Sequence, residues 1–345
     1  MTQPRGGYAS IDLAKFAAAL LVVLLHLGPG LALFNQFISR LAVPFFLVCA
    51  GYFLFCKMPG GPDDGRIRGY LFRVGRLYLL WTALYYLALV ILTPPYERES
   101  IAFLTRPAEV LWRVLVDGSW SVLWYLAALL WAVALCWGCL RLGLSARGTV
   151  AVSSVFYLLG LLGQAYAPLL DRIPAVAAPL HAFVEALGGS RSGLFFGFFY
   201  VALGLALSRA KAQPRTRVLT GLAVSLAALL AEVLLLRRMT AAAGLEIFPD
   251  FYLFTAPAAW FLVSALLLVQ APSRPVHRLL RSMSTLVYCS HILVWRAVGF
   301  ACWVLGVSVG GWALFALVLA LSLVFSLAVA LAAQKKPLAW LRWLY

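Results

Sequence analysis

Three ionisable residues lie in the first long apolar segment of this sequence, IDLAKFAAALLVVLLHLG. They are Asp12, Lys15 and His26. At about 100° and about 1.5 Å per residue, an α-helix places Lys15 and His26 about 20° apart around its axis and about 16 Å apart along it. Asp12 lies about 40° from His26, so all three share one stripe. A cation followed by an imidazole can bind an anion and take up a proton, which makes this stripe a candidate functional site.

Two structural explanations compete with that interpretation. Lys15 can extend to the membrane interface beside Asp12, as an i,i+3 pair that only anchors the helix. His26 lies too deep in the segment to reach the interface, but it can form a simple hydrogen bond to a neighbouring helix. The sequence leaves both alternatives open.

Other polar and aromatic residues lie inside or at the ends of later apolar segments. They are Arg73, Arg76, Trp124, Tyr125, Arg191, Glu232 and His291. The general preference of Arg and Lys for the cytoplasmic side of a membrane explains Arg73 and Arg76 as well as a functional role does. An aromatic belt at the membrane interface explains the Trp124–Tyr125 pair. Glu232 requires a cationic or hydrogen-bonding partner, and His291 is a second imidazole within an apolar segment.

The composition indicates that lipid surrounds these segments. Of the 345 residues, 64% are hydrophobic and 12% are charged, whereas about a quarter are charged in ordinary soluble domains. The net charge of +16 forms no basic arm or basic soluble domain, so the positions of Lys and Arg between the apolar segments explain it better than nucleic-acid binding does.

Ten apolar segments approach the length of about 20 residues that spans the hydrocarbon. They are Ile11–Phe34, Phe37–Cys56, Tyr70–Leu92, Ser121–Leu142, Thr149–Leu170, Gly193–Ser208, Val218–Leu236, Phe251–Val269, Ser284–Leu305 and Gly311–Ala333. The sequence therefore predicts an all-α, polytopic transmembrane helix bundle of about ten spans, with nine or eleven as alternatives. The loop at 93–120 is the longest, and a short amphipathic helix is expected around Glu109–Val116.

The distribution of Lys and Arg predicts the orientation. With a cytoplasmic N-terminus, eighteen of these residues fall in inside segments and eight in outside segments. Both termini are then cytoplasmic, the 93–120 loop is extracytoplasmic, and the first segment is too long for a cleaved signal peptide. We expect a multi-pass protein of the bacterial cytoplasmic membrane, with residues 1–345 forming one membrane domain.

A metal or redox site has little support. Cys136 and Cys139 form a C-x-x-C on one apolar segment without a second pair, which favours buried small hydrophobic residues. The four histidines are scattered and lack ligand spacing, so we expect no metal.

Six motifs occur in order along the chain. They are Ile11-Asp12-Leu13-x-Lys15 with His26, Pro44-Phe45-Phe46-x3-Ala50-Gly51-Tyr52, Arg73-x-x-Arg76-x-Tyr78, Trp124-Tyr125-Leu126, Arg191-x-Gly193-Leu194-Phe195-Phe196 and Tyr288-x-x-His291. Together these motifs resemble membrane-bound acyltransferase family 3, the O-acyltransferases of bacterial envelopes. Family members most often carry Arg at the position of Lys15. The branch of the family with Lys at this position is similar to the membrane domains of vancomycin-resistance serine racemases. We expect no racemase domain and no periplasmic esterase-like domain in this chain.

The resemblance implies transfer of an acyl group, commonly acetyl, from cytoplasmic acyl-CoA to a hydroxyl of an extracytoplasmic acceptor such as an envelope glycan. Acetyl-CoA is then the co-substrate, with its phosphates near Lys15, Arg73 and Arg76. His26 acts as the general base or forms an acyl-His intermediate. The acceptor pocket includes Trp124, Tyr125 and Arg191, and His291 supports the site.

Two other functions fit the same polar stripe. A transporter or flippase of a small polar or lipid-linked solute would use the stripe as a solute or proton path. A catalytically inactive sensor on the same scaffold is the third alternative, which the retained His26 disfavours.

Overall fold

The computed structural model describes residues 8–58, 61–242, 249–269, 272 and 274–345. Regular structure in these ranges is helical, without a β-strand. The α-helices are α1 (Ala9–Leu27), α2 (Ala32–Phe37), α3 (Ala42–Phe55), α4 (Asp64–Leu92), α5 (Pro107–Trp112), α6 (Trp124–Arg141), α7 (Ala146–Leu162), α8 (Ala167–Leu170), α9 (Pro174–Ala186), α10 (Phe198–Arg209), α11 (Arg215–Ala242), α12 (Thr255–Leu268), α13 (Pro275–Leu305) and α14 (Gly311–Ala332). The predicted all-α fold is confirmed.

The apolar helices match the predicted segments. Among the described residues, seven helical stretches are long and apolar enough to cross a membrane, and three shorter apolar helices accompany them. The seven are Ala9–Leu27, Ala32–Phe55, Asp64–Leu92, Ser121–Arg141, Arg215–Ala242, Pro275–Leu305 and Gly311–Ala332; the shorter ones are Ala146–Leu162, Gly193–Arg209 and Thr255–Leu268. The predicted number of spans and the side of each terminus stay predictions, and residues 1–7 at the N-terminus lie outside the described residues.

Two predicted segments extend too far. The first was predicted to continue to Phe34, but α1 ends at Leu27, where Gly28, Pro29 and Gly30 follow and Gly30 adopts a φ of 72°. Proline lacks the N–H that continues a helix, and glycine tolerates the left-handed conformation. The fifth was predicted to continue to Leu170, but α7 ends at Leu162. Apolar residues continue beyond the ends of both helices. The composition therefore predicted that a helix exists in each segment, but not the residue at which it ends.

The 93–120 loop contains the short helix expected around Glu109–Val116. Pro107–Trp112 form α5, and Arg113–Asp117 continue it as a π-helical turn. Gly118 then ends the turn with a φ of 94°, a conformation that glycine adopts without steric cost.

Glu232 of α11 binds the start of α12. Its carboxylate accepts hydrogen bonds from the Tyr166 hydroxyl at 2.6 Å, the Leu253 N–H at 2.7 Å and the Phe254 N–H at 2.9 Å. The N–H groups at a helix start have no partner within the helix and favour a negative charge. The predicted need of Glu232 for a hydrogen-bonding partner is met in this way.

Small residues allow α3 and α10 to pack closely. A Cβ on Gly51 would lie 2.3 Å from the Val201 carbonyl oxygen, and one on Gly204 would lie 2.3 Å from the Val48 carbonyl oxygen. Both distances join backbone atoms, which cannot rotate away as a side chain can. Glycine at both positions therefore sets the separation of the two helices, as small residues do in membrane bundles.

We predict that Gly51→Ala and Gly204→Ala each lower the thermal midpoint of the protein in detergent. Overpacking of a core costs about 1–3 kcal/mol. The control is Gly138→Ala on α6, where an added Cβ meets no atom within 4 Å. Unfolding followed by fluorescence tests this, and equal midpoints for all three variants would contradict it.

Candidate active site

His26 lies in the last turn of α1, and its ring is oriented by its own helix. Its Nδ1 lies 2.8 Å from the Val22 carbonyl oxygen. A carbonyl only accepts hydrogen bonds, so Nδ1 carries the proton in the neutral ring and Nε2 carries the lone pair. The side chain is accessible. His26 therefore presents a basic nitrogen in a fixed tautomer.

His291 of α13 lies beside His26, with the ring centroids 5.3 Å apart. Its Nδ1 bonds the carbonyl oxygens of Val287 at 3.0 Å and Tyr288 at 2.9 Å. The residue is fully buried, and its Nε2 has no hydrogen-bond partner in the described part of the chain. Native proteins pair nearly all such atoms, so the geometry makes His291 a stronger site candidate than the sequence did.

An ion pair joins the helices that carry the two histidines. Arg281 of α13 donates from Nε to Asp12 Oδ1 at 2.7 Å and from Nη2 to Asp12 Oδ2 at 2.6 Å. Three residues further along both helices, the Ser284 hydroxyl donates to the Lys15 carbonyl oxygen at 2.9 Å. Asp12 is thus bound by Arg281, a residue that the sequence did not single out. The ammonium of Lys15 lies 5.4 Å from the centre of the Phe53 ring.

A cavity of about 850 Å³ opens at the end of the bundle where α1 begins. We call it the Lys15 cavity. The cationic residues that line it are Lys15, Lys57, Arg66, Arg73, Arg76 and Arg281. Asp12 is the one acidic side chain among the described lining residues. The structure thus brings together the three residues predicted to bind phosphates, and this excess of positive charge favours an anionic ligand.

Three aromatic rings close the deep end of the Lys15 cavity. Phe46, Tyr125 and Tyr288 all line it. Tyr125 lies 5.3 Å from Tyr288, and Phe46 lies 6.0 Å from each, measured between ring centroids. Tyr288 in turn lies 6.3 Å from His291. These rings separate the cavity from the histidine pair, and we call them the aromatic partition.

A second cavity, of about 1090 Å³, lies at the opposite end of the bundle. We call it the Asp250 cavity, because Asp250 organises its wall. The carboxylate of Asp250 lies 2.7 Å from Arg40 Nη1, 3.3 Å from Arg191 Nε and 2.6 Å from Gln164 Nε2. Arg191 also lies 5.7 Å above the Trp124 ring, measured from Cζ.

The structure separates two residues that the sequence grouped. Trp124 and Arg191 line the Asp250 cavity, as predicted neighbours, whereas Tyr125 lines the Lys15 cavity. Consecutive residues of a helix point about 100° apart, so Trp124 and Tyr125 face different surroundings. The sequence analysis did not identify Asp250 or Gln164 as site residues. The amide side chain of Gln164, inside the fifth predicted apolar segment, was a signal for this part of the site.

Among the described residues, no group of three or more His, Cys, Asp or Glu side chains is arranged to hold an ion. The six cysteines are free.

A family model described as an acyltransferase domain matches residues 8–331. The chain belongs to this acyltransferase family. The match covers nearly the whole chain and confirms the resemblance that the six motifs indicated. No solved structure matches the chain significantly.

Similar proteins come from enterococci. A serine/alanine racemase of Enterococcus gallinarum is 29% identical over 235 residues, which are 64% of this chain and 32% of that protein. Two amino-acid racemases of Enterococcus faecalis are 30% and 22% identical over 56% and 57% of this chain, and over 28% and 27% of their own lengths. These relatives confirm the predicted branch of the family. The chain spans about three tenths of the length of each.

We predict that Asp250→Ala strongly destabilises the protein. Its side chain is 15% exposed and holds Arg40, Arg191 and Gln164, and breaking a buried ion pair costs about 3–5 kcal/mol. The matched control is Asp171→Ala, because Asp171 is 56% exposed and pairs with His181 at the surface. Thermal midpoints of the two purified variants measure the difference, and equal losses would argue against Asp250 as the organiser of the cavity wall.

Proposed function

We propose that this acyltransferase moves an acyl group, acetyl above all, from cytoplasmic acyl-CoA to a hydroxyl group on the opposite side of the membrane. The observation that carries the proposal is the position of the histidine pair. His26 and His291 lie beyond the aromatic partition of a cationic cavity, and Ile292, the residue after His291 on α13, lines the Asp250 cavity. Donor and acceptor can then approach one pair of imidazoles from opposite ends.

The Lys15 cavity suits the donor. Acyl-CoA carries several phosphate charges, and six cationic side chains against one acidic side chain offset such charges. Lys15, Arg73 and Arg76 bind the phosphates in this proposal. Lys15 supplies a point charge, whereas the arginines can each hold a phosphate by two parallel hydrogen bonds. The pantetheine arm then extends along the cavity toward Tyr125 and Tyr288.

His26 supplies the base. Its Nε2 accepts the proton of the acceptor hydroxyl as the hydroxyl oxygen attacks the thioester carbonyl carbon. A C–O bond forms, the C–S bond breaks, and the imidazolium returns its proton to the CoA thiolate. An acyl-His26 intermediate is the alternative role of the same nitrogen. His291 acts as a positioning residue, since its ring packs against that of His26.

The Asp250 cavity suits a polyhydroxyl acceptor. Four tryptophans line it, namely Trp112, Trp120, Trp124 and Trp295. Its charged lining residues are Arg113, Arg191, Arg296, Glu97, Asp117, Glu185 and Asp250. Aromatic faces suit sugar rings, and the near balance of charge suits a neutral or zwitterionic molecule. The volume of about 1090 Å³ exceeds what a single free amino acid would fill. An envelope glycan in the periplasm or outside the cell is therefore the acceptor class that we propose for this protein of the bacterial cytoplasmic membrane.

A transporter or flippase is the second candidate, and the two cavities at opposite ends of the bundle favour it. Its solute would pass the aromatic partition and the histidine pair. The two functions differ in their dependence on a thioester, because only the acyltransferase must release free CoA.

We predict that His26→Ala lowers acyl transfer by about 10²–10⁴-fold, the contribution typical of a general base. The assay uses protein in nanodiscs, acetyl-CoA labelled in the acetyl group and a crude envelope-glycan extract. Release of free CoA and transfer of label to the extract are measured together.

The matched control for His26 is His181→Ala, which removes an exposed histidine of α9 that pairs with Asp171 and lines neither cavity. Its rate should equal that of the wild type. Folded wild-type protein that neither binds acetyl-CoA nor releases CoA would refute the acyltransferase and favour the transporter.

We predict that Lys15→Ala raises the KM for acetyl-CoA by about tenfold, because it removes a charge-assisted contact to phosphate. Lys15→Arg should retain more affinity, since it keeps the charge. Lys211→Ala is the control, because Lys211 is exposed and lines neither cavity. Steady-state kinetics over a range of acetyl-CoA concentrations measure the effect, and an unchanged KM would remove Lys15 from the donor site.

A further inference from the structure

The last turns of the described chain form one wall of the Lys15 cavity. Residues Lys336–Leu344 adopt a 3-10 helix that packs against α4 and α14. Two hydrogen bonds hold it there: Trp81 Nε1 of α4 donates to the Leu344 carbonyl oxygen at 3.1 Å, and Arg342 Nε donates to the Ala333 carbonyl oxygen at 3.1 Å. Leu344 is 7% exposed. The segment is therefore fixed against the bundle, which gives the side chains it carries a defined position.

Two tryptophans of this segment differ in their surroundings. Trp340 is 55% exposed and Trp343 is 51% exposed. Trp343 lines the Lys15 cavity and lies over Arg76, whose Cζ is 4.9 Å from the ring centre. Trp340 lines neither cavity. Anchoring at the membrane interface accounts for Trp340, but it gives no reason for Trp343 to cover a cation inside the cavity.

A second pair of cationic and aromatic side chains lines the Lys15 cavity together with Trp343 and Arg76. Arg73 lies 5.3 Å from the centre of the Tyr70 ring, measured from Cζ, and both residues line the same cavity as Arg76 and Trp343. Cations bind phosphates, and aromatic faces stack on nucleobases, so the two kinds of group together are typical of nucleotide-binding grooves. One face of Trp343 lies toward Arg76, and half of the side chain is still exposed.

We propose that Trp343 is the stacking platform for the purine base of the nucleotide part of the acyl donor. This inference rests on the proposed function, because it assigns a subsite within the Lys15 cavity. The base stacks on the exposed face of Trp343, while Arg73 and Arg76 hold the neighbouring phosphates. Stacking on one aromatic side chain changes affinity by about tenfold or more. The stretch Lys336–Leu344 is thereby a part of the donor site, although it lies outside the residues that the family model matches.

The test compares donors with and without the nucleotide, using the full 345-residue chain in nanodiscs. Trp343→Ala should raise the KM for acetyl-CoA by about tenfold and leave kcat unchanged. It should leave the KM for acetyl-pantetheine unchanged, because that donor has no base to stack. Trp343→Phe should retain part of the affinity. Trp340→Ala, the matched control on the same segment, should change neither KM.

Direct binding separates this inference from the proposed function. Equilibrium binding of radiolabelled adenosine 3′,5′-bisphosphate needs no turnover, and it should be weakened by Trp343→Ala but not by Trp340→Ala. Such a result would support the stacking platform even if the wild type transferred no acetyl group. The absence of acetyl transfer would refute only the proposed function. Absence of nucleotide binding to the wild type, equal losses in both tryptophan variants, or a parallel rise in the KM for acetyl-pantetheine would each overturn the inference.

Discussion

The ion pair between Asp12 and Arg281 fixes the two helices that carry the histidines. The Asp12 side chain is 4% exposed, and an unpaired carboxylate inside a membrane bundle is costly, so α1 and α13 cannot slide past one another without breaking this pair. Two parallel hydrogen bonds define the orientation of the groups as well as their separation. Because His26 lies on the same stripe of α1 as Asp12, this constraint also sets where His26 meets His291. The geometry of the imidazole pair therefore follows from a contact near the start of the same two helices.

The two cavities differ in charge, and the difference matches the two partners of the proposed reaction. The Lys15 cavity has a clear excess of cations, whereas the Asp250 cavity mixes three arginines with four carboxylates and four tryptophans. Between them stand the rings of Phe46, Tyr125 and Tyr288, in mutual contact. In the proposed reaction neither the nucleotide nor the glycan has to cross this partition. Only the thioester end of the donor and one hydroxyl of the acceptor have to meet at His26, which allows the bundle to stay closed to larger polar molecules.

Local sequence patterns predicted the presence of each helix more accurately than the residues at which the helix begins and ends. Each apolar segment coincides with helical structure, because a membrane-spanning chain must satisfy its backbone hydrogen bonds internally and must expose apolar side chains to lipid. The ends depend on single residues. Gly28, Pro29 and Gly30 end α1 within an apolar stretch, and the turn after Leu162 places Gln164 against Asp250. Average hydropathy does not distinguish such a turn from one more helical residue. The assignment of Trp124 and Tyr125 to one pocket shows a similar limit, since adjacency in sequence is not adjacency around a helix.

The sequence by itself determined the membrane class, the helical fold, the family and the polar stripe of α1, because these depend on composition and on periodicity within one segment. Only the tertiary structure decided which stripes face each other. Asp12 and Arg281 are 269 positions apart, and Arg40 and Asp250 are 210 apart. The periodicity of a helix tells which of its residues share a face, but it contains nothing about the helix packed against that face. The pairing of His26 with His291, the cations around Lys15 and the carboxylate beside Arg191 were therefore visible only in the folded bundle.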